Sequence, residues 1–313
     1  MIHSQIQLLS HIDQVIKRHT IGYSIEVFPP KTPEGLVKLK NMLTHICTEY
    51  SPTMVDVTYC AGGNNDSGTK TLSLCQWVQD NIHIPSCAHL VLRGSNKKEI
   101  ISFIDDAVSR GIYNIMALRG DNVTLNQDPS LCYASDLITL IRQYQHNINI
   151  VVASYPEGHP DCSGGLMEDI NHLKYKLSCG ADVVITQFFL DSEIFLQFRD
   201  QIREKIAKRN FRLIPGIILL STISGLWRMI KLANGSISVP QELKKEITIL
   251  EQTNDKDAIR EWGLKLACRL CQELYDNGER FFHIYTLNSD ESVCRLLNFI
   301  NTLPQNCPNN IVV

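Results

Sequence analysis

Eight short apolar runs alternate with stretches of helical periodicity along the chain, and this alternation constrains its folding most. The runs are 23–28, 54–59, 86–92, 114–118, 148–154, 181–186, 212–217 and 280–286. They recur at spacings of roughly 25 to 45 residues, as strand–helix units require, with a longer gap before the eighth. Buried parallel strands read as near-continuous apolar runs, whereas half-exposed antiparallel strands alternate strictly. Eight such units in a chain of 313 residues predict a single α/β domain, a (β/α)8 TIM barrel over residues 1–303. A short helix at about 5–18 precedes it and an extra helical segment precedes the eighth strand. The tail 304–313, rich in Pro, Asn and Gln, is expected to fray. An open doubly wound sheet would use the same units, but no G-x-G-x-x-G follows the first strand.

Charge and composition narrow the partners. A net charge of -3 offers no electrostatic case for nucleic acid or an anionic membrane. The first twenty residues mix polar side chains throughout, so no signal peptide is read, and no apolar run is long enough to span a bilayer. Eleven cysteines without framework spacing, several of them in apolar patterns, predict a cytoplasmic protein with free thiols. Cys268 and Cys271 form a C-x-x-C inside a helical pattern, with no second pair or matching histidines, so no metal is expected there.

In a barrel, chemistry sits where the C-terminal strand ends meet their loops. Those ends carry Glu26, Thr58, His89, Arg119 with Asp121, Tyr155 with His159, Gln187 and Thr286. Each has a bland reading: Thr58 as a strand residue, His89 as a satisfied core histidine, Arg119 and Asp121 as a surface ion pair. Their concentration at one set of strand ends argues for a site. No nucleophile elbow, Ser-His-Asp order, metal-ligand cluster or strand-end lysine is read, so no metal is expected. One carboxylate inside a strand, one at a strand end and many neutral donors suit a large polar heterocycle with phosphates, leaving the hard chemistry to a cofactor.

The segments Ser24-Ile-Glu-Val-Phe-Pro-Pro30, Val57-Thr-Tyr59, Ala88-His-Leu90, Ala117-Leu-Arg-Gly-Asp121, Tyr133-Ala-Ser-Asp136, Tyr155-Pro-Glu-Gly-His-Pro160, Ile185-Thr-Gln-Phe-Phe189, Ile214-Pro-Gly-Ile217 and His283-Ile-Tyr-Thr-Leu-Asn288 resemble the methylenetetrahydrofolate reductase family. They run in the family's order from about residue 20 to 300. The match is to the catalytic barrel, without the C-terminal regulatory domain of many eukaryotic members. The resemblance implies FAD lying across the strand ends, reduced by NADH or NADPH, and passing hydride to 5,10-methylenetetrahydrofolate to give 5-methyltetrahydrofolate, in one-carbon and methionine metabolism.

By the same resemblance, Glu26 matches the general acid that protonates the folate as its ring opens. A carboxyl in an apolar strand suits that task, because burial favours the protonated form. Asp121 matches a second catalytic carboxylate near flavin and pterin, placed to tune the flavin electrostatically and hold the pterin, and Gln187 an amide shared by folate and nicotinamide. Thr58, His89, Arg119, Gly120, Asp121, Ala134, Tyr155, His159, Asp169 and Lys176 match FAD-contacting positions. Arg119 and Lys176 suit the pyrophosphate by charge. Where the family usually carries a proline and an aromatic after Ile217, this chain has Leu219 and Ile223; it also has Val91 and Ser289 at two further family positions. A flavin- or folate-binding barrel with altered turnover is therefore the alternative. The choice between NADH and NADPH, and whether barrel helices pair into a homo-oligomer, stay open.

Overall fold

The computed structural model describes residues 8–17, 20–59, 67–92, 94–120, 131–206, 210–233, 236–253 and 255–304. Its eight strands are β1 (Gly22–Val27), β2 (Met54–Val57), β3 (Ser86–Val91), β4 (Asn114–Leu118), β5 (Asn149–Ser154), β6 (Val183–Phe188), β7 (Arg212–Ile218) and β8 (Phe281–Tyr285). Every sequential pair is parallel, and β1 closes on β8 with Gly22 opposite Phe281 and Glu26 opposite Tyr285. The closed α/β barrel is the architecture expected from the alternation.

The helices are α1 (Leu8–Lys17), α2 (Pro33–Tyr50), α3 (Ser67–Ile82), α4 (Lys97–Ser109), α5 (Ala134–Tyr144), α6 (Gly165–Ser178), α7 (Ser192–Lys205), α8 (Ile223–Leu232), α9 (Gln241–Thr253), α10 (Lys256–Asp276) and α11 (Asp290–Thr302). Local chemistry sets their ends. Thr32 caps α2 by accepting from Gly35 N at 3.1 Å, with Pro33 at the first helical position. Asn96 and Glu99 form a reciprocal capping box at α4. Helices α8, α9 and α10 together fill the long gap before β8. Of the expected N-terminal helix at 5–18, residues 5–7 and 18 lie outside the described residues, as does the tail from 305 on.

Strand ends fall within a residue or two of expectation, with one informative difference. Strand β6 runs on to Phe188, two residues past its expected end. Its pairing with β7 shifts register between Ile185 and Phe188, and that irregularity carries the ladder further.

Alternate residues of each strand face two different cores. Outward-facing Ile25, Val55, Val57, Leu90, Ile115, Val152, Val184 and Ile284 pack beneath the helices. Inward-facing Met54, Cys87, Met116, Val151, Val183, Ile214 and Phe281 form a second core with Leu8 and Ile12 of α1. Helix α1 therefore packs against the N-terminal part of the barrel interior, tied to β7 by an Asp13–Arg212 ion pair at 2.6 Å. Further along the strands the inward positions turn polar: Ser24, Glu26, Asp56, His89, Gln187, His283 and Tyr285. That gradient marks the candidate site.

Candidate active site

Glu26, in β1, is the expected acid, and its surroundings are more polar than an apolar strand would suggest. Its Oε2 lies 3.6 Å from His89 Nε2 and 3.5 Å from His283 Nε2. Its side chain keeps 19% of its surface exposed, whereas His89 is nearly buried and His283 fully so. Asp56, also fully buried, faces both imidazoles from β2, at 3.8 Å from His89 Nε2 and 3.7 Å from His283 Nδ1. These separations are longer than hydrogen bonds, so the four groups form an electrostatic cluster. Ser24 Oγ does bond His283 Nδ1, at 2.8 Å. Burial opposes charge on His89, yet the carboxylates of Asp56 and Glu26 outweigh it and lift the imidazole above its ordinary pKa.

Around this cluster the rim is built tightly. A register shift in β6 leaves Gln187 half-buried, its Oε1 accepting from Phe188 N at 3.0 Å. Tyr285 donates to the Thr186 carbonyl at 2.8 Å and meets the His283 ring edge-on at 4.9 Å. Burial, followed by the negative charge of Glu26, pushes its phenol upward, so it remains a donor. Gly216 makes room for it: a Cβ there would lie 2.3 Å from Thr186 O and 2.6 Å from the Tyr285 ring. Thr286 Oγ1 donates to the Glu26 carbonyl at 2.6 Å, and Asn288 bonds both backbone groups of Phe28, locking β8 to β1 at the mouth.

The remaining expected contacts lie on the β4–β6 side. Arg119 follows β4 and pairs with Asp161. Asp161 N donates to His159 Nδ1 at 3.0 Å, and the His159 and Tyr155 rings meet edge-on at 4.5 Å. Burial and then the Arg119 charge hold His159 below its usual pKa, so its neutral form is favoured. Lys176 Nζ donates to Ala153 O at 2.7 Å. Burial lowers its pKa, partly offset by Asp169, while burial raises that of Asp169 against the opposing charge of Lys176. The two residues share a face of α6, as their spacing of seven implied. Gly120, Gly158 and Gly165 all hold positive φ, at 89°, 86° and 68°. Thr58 stands just past β2, its carbonyl accepting from Thr71 Oγ1 at 2.9 Å, and Ala134 opens α5. Asp121 lies outside the described residues.

The strand-end pattern points to Glu26 and His89 as site residues but not to Asp56, His283 and Tyr285. The signal was present: Asp56 is a carboxylate at an inward position of a four-residue apolar strand, in register with Glu26. Leu219 and Ile223 are buried, so neither presents its side chain freely at the mouth. Among the described residues no helix is long and apolar enough to cross a membrane.

A closed (β/α)8 barrel with two carboxylates and two imidazoles gathered at one end of its interior places the chain in the class of α/β barrels. The family model for methylenetetrahydrofolate reductase matches residues 11–301, and the chain belongs to that family. It is 32% identical to the 5,10-methylenetetrahydrofolate reductase of Escherichia coli K12, covering 88% of this chain and 90% of that one. It is also 32% identical to Methylenetetrahydrofolate reductase (NADH) 1 of Arabidopsis thaliana, covering 93% of this chain and 50% of the relative. The chain thus spans about half the length of such plant and fungal relatives. Among solved structures, an uncharacterized protein from Clostridium thermocellum that binds two copies of 5-methyl-5,6,7,8-tetrahydrofolic acid superposes with a TM-score of 0.67. At 13% identity, over 93% of this chain and 97% of that one, it shows the fold.

Proposed function

We propose that the chain reduces 5,10-methylenetetrahydrofolate to 5-methyltetrahydrofolate, with FAD as prosthetic group and NADH or NADPH as electron source. Family membership supports the reductase activity, and the names of its relatives support the folate. The observation that carries the mechanism is Glu26, held between two buried imidazoles while keeping part of its own surface open.

The residues present fit FAD. Arg119 and Lys176 stand together on one side of the mouth, and Gly165, at positive φ with nothing within 4 Å of where a Cβ would stand, leaves backbone bare for a phosphate to approach. Asp169, Tyr155, His159 and Thr58 would supply polar and ring contacts for the rest of such a ligand, and Ala134 its backbone at the start of α5. Bound there, FAD supplies the two-electron relay between nicotinamide and folate. The chain supplies the proton: Glu26 delivers it to the amine released as the five-membered ring opens. His89 and His283 face the Glu26 carboxyl at 3.6 and 3.5 Å and hold it in place electrostatically. Gln187 offers an amide able to pair with pterin or nicotinamide, with Asp121 assigned to the pterin side. Buried Leu219 and Ile223 favour a second reading, a flavin- or folate-binding barrel with altered turnover, since neither offers a stacking ring.

Stopped-flow absorbance of bound flavin tests the first reading and separates it from the second. In Glu26→Gln, reduction by NADH or NADPH should persist within a few-fold, as no protein acid serves that half. Reoxidation by methylenetetrahydrofolate should slow by about 10² to 10⁴. Equal loss of both halves would make Glu26 structural. Purified protein that holds flavin but shows no folate-driven reoxidation in the wild type would select the second reading.

A further inference from the structure

Outside the barrel mouth, α2 and α11 pack side by side over the seam where β1 meets β8. His45 of α2 faces Asp290 and Cys294 of α11, which are one helical turn apart. His45 Nδ1 lies 3.1 Å from Asp290 Oδ1 and 3.9 Å from Cys294 Sγ, and Sγ lies 3.4 Å from the same Oδ1. Three donor atoms of three chemical kinds therefore form one small triangle.

Two ordinary readings account for part of this. A nucleophilic triad would set acid and thiol on opposite ring nitrogens, so that the imidazole relays a proton between them. Here both meet Nδ1, and the thiol bonds the carboxylate directly, so no relay is formed. A simple exposed ion pair explains His45 and Asp290 but not the convergence of the sulfur on the same two atoms.

Tetrahedral coordination explains all three sides. Bonds of about 2.0 Å to oxygen, 2.05 Å to nitrogen and 2.3 Å to sulfur, at tetrahedral angles, place N and O about 3.3 Å apart. They place S about 3.5 Å from O and about 3.6 Å from N. The observed triangle agrees to within about 0.3 Å on each side. His45 and Asp290 also line a cleft of about 650 Å³ with Lys38, Asn41, Met42 and Asn288, from which a water can complete the coordination.

We propose that His45 Nδ1, Asp290 Oδ1 and Cys294 Sγ form the protein face of a site for a borderline-soft divalent cation of the zinc class. The mixture of thiolate, imidazole and carboxylate selects such an ion over magnesium or calcium, which take oxygen shells. On binding, the Cys294 S–H proton leaves to solvent and the metal takes its place between sulfur and carboxylate. The ion then links the first helix after β1 to the last helix of the barrel, across the seam.

Cobalt(II) added alone to the full chain, chelator-treated and reduced, tests this by difference spectroscopy, so that any bound chromophore cancels. One cobalt per chain should bind, with thiolate-to-cobalt charge-transfer absorption and the intense visible bands of a tetrahedral centre. Added zinc should bleach both. Cys294→Ser should abolish the charge-transfer band, and His45→Gln should weaken binding by more than about tenfold. His45 is exposed and Cys294, only partly buried against the core, is replaced by a residue of nearly its own size, so circular dichroism should match the wild type. Absence of saturable binding to the wild type overturns the proposal, as does a charge-transfer band that survives Cys294→Ser. So does a band lost in Cys162→Ser, which would assign the ion to Cys162, Asp169 and His172, the other cluster of suitable spacing among the described residues.

Discussion

His89 shows what a single residue's surroundings do to its chemistry. Burial alone would strip its charge, but Asp56 and Glu26 within 4 Å hold the proton on it. A folded pKa raised above 6.5 stabilises the native state below that pH, and the contribution disappears as pH climbs through the folded value. In His89→Gln that contribution is missing at every pH. The stability gap between wild type and variant should therefore be widest near pH ~6 and shrink as pH rises toward ~9. Urea unfolding midpoints across that range measure it, and a gap that does not change with pH would mean His89 stays neutral in the fold. Glu26 and Asp56 are equally anomalous in their strands, yet only Glu26 stands out in the sequence. The meaning of Asp56 depends on facing two histidines that come from β3 and β8, and sequence spacing does not reveal that.

Among the elements, the extra helices before β8 are held at unusually close range. Gly263 of α10 sits where a Cβ would lie 2.0 Å from the Leu220 carbonyl oxygen, which follows β7. Backbone cannot yield as a side-chain tip does, so Gly263→Ala should force α10 away from β7. Overpacking of this kind typically costs about 1 to 3 kcal/mol, and the backbone contact places this case at the upper end. Chemical denaturation gives the number. A variant as stable as wild type would show that α10 tolerates displacement, and with it that the β7–α10 contact contributes little. The helical pattern of 256–276 was readable from its periodicity, whereas the need for glycine at 263 arises only from the packing of α10 against the end of β7.

At the scale of the whole molecule, the proposed flavin side draws Arg119 from the end of β4, Tyr155 and His159 from the loop after β5, and Lys176 from α6. Such a set exists only while the barrel is closed, so a ligand that uses it binds the native state and not the unfolded chain. FAD at 100 times its dissociation constant should then add about 2.7 kcal/mol of stability. Thermal unfolding followed against FAD concentration checks this: the midpoint should keep rising with the logarithm of added FAD. A midpoint indifferent to FAD would remove the flavin from the proposed function while leaving family membership untouched.

The sequence by itself determined the barrel, because eight buried parallel strands must each be nearly continuous in apolar residues and each crossover must carry a helix. It also determined which end of the barrel carries polar side chains, since these stand at the strand ends in the linear order. Tertiary structure alone decided which of those residues meet. Closure of β1 on β8 brings His283 to Glu26 across 257 positions of chain (283 − 26), and pairing of β2 with β1 sets Asp56 opposite it. The register shift in β6 likewise keeps Gln187 within the sheet, where apolar periodicity ended the strand one residue earlier. Apolar patterning reports how much of a strand is buried, but charges act over a few ångströms in space, and the barrel's closure sets those distances.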